Sequence, residues 1–451
     1  MISTVKEQQL ALTEGRTTSL ALTEEALTRA SDPAGEGTRV FTRLYREAAR
    51  AAAQASDILR QAGLVRSSID GLPISIKDLF DVAGEVTMAG SVAREGERPA
   101  AEDATVIKRL RAAGAVIVGR TNMTEFAYSG LGLNPHYDVP RNPWDRKTGR
   151  IPGGSSSGAA VSVTDGMAVA GIGSDTGGSV RIPAALCGLV GFKPTAARVP
   201  LTGVLPLSFS LDSIGAIAPS VACCATLDAI LAGDEEALPQ PADLGRLRFA
   251  VPTTLALDGM DKDVAQAFEV TLSSLSAAGA RIDEIAVPEF AGLASLNANG
   301  GFTASEAWTW HRDLIERAGD RYDPRVVSRI RRGKDISAAD YLDLLAARKA
   351  WRAGVEARIE GYDALVLPTV PIVAPAIAKL EASDDAYFAA NGLILRNPTF
   401  INFLDGAALS VPCHTPGEAP VGLMIAGPAG ADRRILAIGM AVEALHSQKQ
   451  A

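Results

Sequence analysis

Two serines in this chain each follow a pair of glycines: Ser155 in Gly153-Gly154-Ser155-Ser156-Ser157-Gly158, and Ser179 in Asp175-Thr176-Gly177-Gly178-Ser179. A lysine, Lys77, ends the apolar alternating run Gly-Leu-Pro-Ile-Ser-Ile-Lys. Serine needs a base to become a nucleophile, and a lysine can serve only if it is neutral near pH 7. That requires a fall of about three units from its usual value of about 10.4, equivalent to about 4 kcal/mol, which burial can supply. Gly177 and Gly178 have no Cβ to obstruct inward-turned amides. The backbone N–H groups of Thr176, Gly177, Gly178 and Ser179 are therefore expected to form a nest for a developing oxyanion. These residue types together point to acyl transfer.

Hydrophobic periodicity indicates the elements that carry them. Leu72, Ile74 and Ile76 alternate as one face of a strand that ends at Lys77. Residues 103–113 read as an amphipathic helix closed by Gly114 and followed by a strand at 115–118, which is α/β grammar. Residues 17–30 and 39–63 read as helices, and residues 159–170, apolar and small, as a helix deep in the core. Residues 234–245 read as an acidic, Pro-rich surface connection. Strands are expected at 247–251, 281–285, 364–367, 408–411 and 421–425, a long helix at 263–278, and a mostly helical stretch at 294–353. Strands returning after the connection imply one sheet built from both halves.

Bulk properties narrow the class. The chain has 451 residues, 47% hydrophobic and 21% charged, with a formal charge of −8. That is an ordinary globular composition, and neither the charge nor any basic run suits nucleic acid. No apolar run is long enough to span a bilayer, and the N-terminal segment lacks a signal-peptide core. The four cysteines, including the adjacent Cys223 and Cys224, read as reduced thiols of a cytoplasmic protein. Four scattered histidines form no paired ligand motif, so neither a metal nor another cofactor is expected.

The Gly-Gly-Ser-Ser-Ser-Gly and Asp-Thr-Gly-Gly-Ser-Val-Arg segments, with Gly-Leu-Pro-Ile-Ser-Ile-Lys-Asp upstream and Gly-Phe-Lys-Pro-Thr downstream, resemble the amidase signature family of serine hydrolases. The resemblance is strong from about 71 to 220 and weaker at 363–369 and 402–412, where Asp405-Gly-Ala-Ala departs from the family's usual Gly-Leu-Pro-Ala. It implies an α/β fold: a single large mixed sheet flanked by helices on both faces, with a helical substrate cap from the C-terminal half. The chain then divides into N-terminal helices (1–65), a signature core (66–233) and a variable cap region (290–360) within one amidase domain.

The resemblance also implies roles. Ser179 is the acylated nucleophile, and Ser155, after a cis peptide from Gly154, relays protons to and from Lys77. Tyr128 and Ser129 are acyl-side contacts, Asp175 and Arg181 a buried brace, and Asn142-Pro143-Trp144 a structural element. The implied activity is hydrolysis of a carbon–nitrogen bond in a small amide, aryl amide or carbamate by a monomer or homodimer. Leu393, Ile394, Leu395, Phe400, Phe403 and the segment bearing Trp308, Trp310 and Trp351 suggest an apolar or aromatic pocket. Two alternatives remain open. One is an amidotransferase subunit that uses glutamine and needs companion chains. The other is an α/β-hydrolase with Ser156 central in G-x-S-x-G and His311, His414 or His446 as base.

Overall fold

A computed structural model describes residues 2–450, and eleven strands in it form one mixed sheet. In chain order these are β1 (Phe41–Leu44), β2 (Pro73–Lys77), β3 (Val116–Thr121), β4 (Ala170–Asp175), β5 (Val190–Lys193), β6 (Ser213–Ala218), β7 (Arg248–Pro252), β8 (Arg281–Ile285), β9 (Ala364–Pro368), β10 (Ala407–Pro412) and β11 (Gly422–Gly427). The spatial order is β1-β3-β2-β4-β6-β5-β10-β11-β9-β7-β8. Both halves of the chain contribute, as the returning strands implied.

The inner strands are buried on both sides and most read as nearly continuous apolar runs, whereas the edge strands β1 and β8 are partly exposed. Ile74, Ile76, Ile117 and Ile172 face one core, shared with the helices Thr105–Ala112 and Val221–Ala232. Val116 and Val118 face the opposite side, where the helices Ser19–Ser31, Arg46–Gln61 and Ser157–Thr164 pack. Farther along that side, the helices Glu289–Leu296, Gly301–Ala318, Ala338–Ile359 and Asp384–Leu404 contribute Phe290, Phe302, Trp351 and Phe403 to a separate cluster over Leu365, Leu367 and Met424.

Two local expectations are corrected, and one helix is new. The helix expected over 39–63 is broken: Gly37–Val40 is one turn, β1 follows, and the helix runs only from Arg46 to Gln61. Phe41–Leu44 pairs antiparallel with β3 along the sheet edge, and this pairing overrides the helical propensity of the Ala-rich neighbourhood. The small-residue stretch 159–170 is a helix only to Thr164, turns at Gly166 (φ +66°) and enters β4. Its small residues reflect close helix–strand packing, since a Cβ on Gly171 would stand 2.8 Å from the Ala159 carbonyl oxygen. The helix Asp384–Leu404, carrying Pro398 internally, has no counterpart among the elements expected from sequence.

β2 lies between β3 and β4 and is parallel to both. Their carboxyl ends share one edge of the sheet, the position at which α/β folds gather ligands.

Candidate active site

Alternation along β2 determines where Lys77 goes. Ile74 and Ile76 face one core, while Ser75 points to the other side and meets Ser162 of the helix Ser157–Thr164 (Oγ–Oγ 2.8 Å). Lys77 shares the parity of Ser75 and so reaches the loop that opens this helix. Its Nζ lies 2.7 Å from Ser155 Oγ and 2.9 Å from Ser174 Oγ near the end of β4. All three side chains are buried. Burial brings Lys77 down to about 7, against Asp175 and Asp212, which both raise it. Among the described residues, a buried amine with hydroxyl neighbours at hydrogen-bond distance is poised to exchange protons near neutrality.

Ser155 follows a cis peptide bond from Gly154. Its carbonyl accepts from the Thr124 amide (3.1 Å), and the Gly154 amide donates to the Gly130 carbonyl (2.8 Å). Gly173 allows the loop to lie against β4, since a Cβ there would stand 2.6 Å from Ser156 Oγ. Ser156 is buried and donates to the Ser174 carbonyl (3.4 Å), while its amide donates to the Ser179 carbonyl (3.3 Å). The two serine loops are thereby joined.

Ser179 lies in the turn from β4 into the helix Arg181–Cys187. Asp175 organises this turn. Its carboxylate accepts from the amides of Gly178 (2.8 Å), Val180 (3.1 Å) and Arg181 (3.3 Å), from the Arg181 guanidinium (2.9 and 3.0 Å) and from Asn402 Nδ2 (2.9 Å). Burial works to raise the Asp175 carboxyl, but Arg181, Lys193 and Asn402 outweigh it and hold the group well below the usual carboxylate range. The Gly178 amide is taken by Asp175 and so is not free to join the nest expected over Thr176–Ser179. Gly178 is needed for its conformation: φ is +119°, and a Cβ would stand 2.5 Å from Pro398 Cβ. Thr176 is held in turn by Asp212, whose Oδ1 accepts from Thr176 Oγ1 (2.6 Å). Burial pushes Asp212 up to about 6, against hydrogen bonds from Thr176 and the amides of Leu207 and Ser208.

Ser179, Thr176 and Gly177 border a cavity of about 240 Å³, with Tyr128 and Ser129 on its wall. The two wall residues follow a turn in which Phe126 and Ala127 both have positive φ. Ser129 Oγ donates to Asn391 (2.9 Å). The far wall comes from residues 297–332 and 395–403, with Leu395 and Phe403 contributing. Other apolar candidates are elsewhere. Ile394 packs with Leu131 and Leu133, and Phe400 stacks on Phe290 at a 4.0 Å ring separation. The expected tryptophan lining is corrected: Trp308 and Trp310 pack on the main core, and Trp351 donates from its indole to the Glu289 carbonyl (2.6 Å). Their helices turn those faces inward.

Sequence reasoning missed Ser174, Asp212, Asn402, Arg329 and Arg332. The first three are ordinary polar residues until folding brings them beside Lys77, Thr176 and Asp175. The two arginines line the cavity from a segment that matched nothing specific. Asn142 is structural as expected, with Nδ2 donating to the carbonyls of Ile151 (2.9 Å) and Leu186 (2.7 Å). Cys187 is buried and its thiol is pushed up by burial, which makes it unreactive. Among the described residues, no histidine lines the cavity, and burial pushes His311 down to about 3.

The Amidase family model matches residues 21–436. This chain belongs to the amidase signature family. As an amidase-family enzyme it hydrolyses carbon–nitrogen bonds. It is 36% identical over 408 residues to the 2-amino-5-chloromuconic acid deaminase of Comamonas testosteroni, covering 89% of this chain and 87% of that protein. It is 34% identical over 477 residues to a glutamyl-tRNA(Gln) amidotransferase subunit of Chloroflexus aggregans, covering 98% and 96% of the two chains. A solved structure described as an amidase superposes with a TM-score of 0.88 at 35% identity, over 98% of this chain and 99% of that one. The family match sets the α/β-hydrolase alternative aside, and Ser179, not Ser156, is among the residues lining the cavity. Among the described residues, no helix is long and apolar enough to cross a membrane.

Proposed function

We propose that this amidase cleaves a small amide through an acyl-enzyme on Ser179, with Ser155 and Lys77 as the proton relay. Neutral Lys77 accepts a proton by way of Ser155 as Ser179 Oγ attacks the carbonyl carbon. The amides of Thr176, Gly177 and Ser179 receive the oxyanion. The tetrahedral adduct collapses, the relay returns its proton to the departing nitrogen, and the amine leaves. Water then follows the same route to release the acid. The observation that carries this reading is the buried Lys77, 2.7 Å from Ser155 and brought down to about 7.

A carbamate presents the same carbonyl and leaving nitrogen, so the relay serves it equally. The leucines of the cavity wall, Leu207, Leu211 and Leu395, support an acyl group larger than acetyl. Label transfer from a fluorophosphonate, followed by peptide mapping, tests the nucleophile. Stoichiometric label is expected on Ser179 and is lost in Ser179→Ala; label on Ser156 instead contradicts the proposal.

A second reading is supported by the amidotransferase relative, which matches nearly the whole chain. In that case the same site releases ammonia for a companion chain. Turnover of simple amides by the isolated chain favours the stand-alone hydrolase, whereas activity only on addition of companion chains favours the other reading.

A further inference from the structure

The loop over residues 207–212 is held by two buried carboxylates, Asp212 at its end and Glu306 on the helix Gly301–Ala318. Four donors converge on Glu306. Ser208 Oγ (2.5 Å) and the Ser210 amide (3.0 Å) donate to Oε2, and Ser210 Oγ (2.5 Å) and the Tyr341 hydroxyl (2.6 Å) donate to Oε1. All but the tyrosine belong to the loop. Asp212 grips the same loop, accepting from the amides of Leu207 (2.9 Å) and Ser208 (3.1 Å) as well as from Thr176 Oγ1 (2.6 Å). Ser208 therefore bonds both carboxylates, one through its amide and one through its hydroxyl.

A carboxylate only accepts, so each group that meets Glu306 must turn a proton towards it. This fixes the hydroxyls of Ser208 and Ser210 as donors. Hydrogen bonds to a charged acceptor are roughly twice as strong as neutral ones, and in a buried setting water does not dilute them. Apolar burial does not hold the loop in their place, because Phe209, between the two serines, is 61% exposed.

The loop serves the site in two ways. Leu207 and Leu211 line the cavity of Ser179, and Asp212 holds Thr176 in the turn that leads to the nucleophile. A continuous path of hydrogen bonds thus runs from Glu306 through Ser208 and Asp212 to Thr176. Glu306 itself is not among the residues lining that cavity. Arg348 also donates to the Ser210 carbonyl (3.0 Å), so the loop keeps an attachment when Glu306 is neutralised.

We infer that Glu306 is a positioning residue for acyl transfer: from outside the cavity it fixes the 207–212 loop and, through Ser208 and Asp212, the Thr176 end of the oxyanion turn. The inference rests on the reading of Ser179 as nucleophile, since the turn it positions is the one that carries Ser179.

Two measurements on the full chain test it: the rate at which an uncharged alkyl fluorophosphonate labels Ser179, and kcat and KM for pentanamide. Glu306→Gln removes the charge at nearly constant shape and turns an amide donor towards the loop's own donors. It should slow labelling and lower kcat by about tenfold, short of the 10²–10³ that loss of an oxyanion donor itself costs, with KM moving less than kcat. Ser208→Ala cuts the path while keeping the amide bond to Asp212, and should have the same effect. The double variant should be no slower than either single variant, because both act through one path. Tyr341→Phe removes a Glu306 donor outside the loop and should slow labelling by about threefold with Tm nearly unchanged. That variant decides the matter if Glu306→Gln does not fold. Labelling and kcat unchanged in the variants that fold, a change confined to KM, or losses that add in the double variant overturns the positioning role and leaves the nucleophile standing. Absence of label on Ser179 in the wild type overturns the nucleophile, and the positioning role with it.

Discussion

Lys77 Nζ and Ser155 Oγ lie 2.7 Å apart in a fully buried setting, one at the end of a central strand and the other in the loop that opens a helix. Strand parity aims the lysine, and glycines in β4 let the serine loop approach. The contact joins two segments far apart in sequence and gives the buried amine a hydroxyl partner in place of water.

The first prediction concerns the cost of that buried amine. Lys77 titrates near its ordinary value of 10.5 in the unfolded chain and at about 7 in the fold. Between those values the unfolded state binds more protons, so the native state loses stability as pH falls from 10.5 towards 7. Lys77→Met removes this penalty and should stabilise the protein by a few kcal/mol at pH 7, at about 1.4 kcal/mol per pKa unit. Calorimetric Tm should rise at neutral pH, and the gain should vanish near pH 10.5. A gain independent of pH contradicts the assignment.

Asp175 and Arg181 behave in the opposite sense. The depressed Asp175 carboxyl contributes stability that is fully present above its ordinary 3.8 and lost as pH falls through its lower folded value. Asp175→Asn leaves the buried Arg181 guanidinium without its counterion, at a cost of about 3–5 kcal/mol. Denaturant midpoints at pH 7 should fall accordingly. The gap from the wild type should narrow in strong acid, where the native carboxyl also protonates.

Gly178→Ala tests the turn. The new Cβ would meet Pro398 and Ile182 at a backbone conformation that alanine rarely adopts. Displacing Ser179 should slow its labelling by about a hundredfold, the cost of misplacing a reacting group by roughly 1 Å. The far-UV circular dichroism should be unchanged, because the sheet does not depend on this turn.

Much of this architecture is legible in the sequence for identifiable reasons. Ser155 and Ser179 stand in glycine-rich local patterns, and Lys77 ends an apolar alternating run. β2 is legible from Ile74 and Ile76, β7, β9, β10 and β11 from short apolar runs, and β8 from the two isoleucines of Arg281–Ile285. β1 is hidden because Phe41–Leu44 is a strand only through its pairing with β3, a contact that local propensity does not encode. β4 is hidden because Gly171 and Gly173 lack the branched side chains that mark strands and are small to admit the neighbouring helix and serine loop. Arg329 and Arg332 are invisible because one arginine on a helix is usually solvated, and only the fold brings them onto the cavity of Ser179. The tryptophans mislead for the converse reason: large aromatics usually fill cores, and here they do.

The central claim is that neutral Lys77 is the base, and the pH dependence of kcat/KM tests it most directly. The rate should fall as Lys77 protonates, giving an acid limb centred near 7. Lys77→Ala should reduce kcat/KM by about 10²–10⁴-fold, and Lys77→Arg should not restore it because a guanidinium stays protonated. Substitution of any one of the four histidines should leave the limb in place. An acid limb in the ordinary carboxylate range, or its loss on replacing a histidine while Lys77→Ala remains active, would contradict the account.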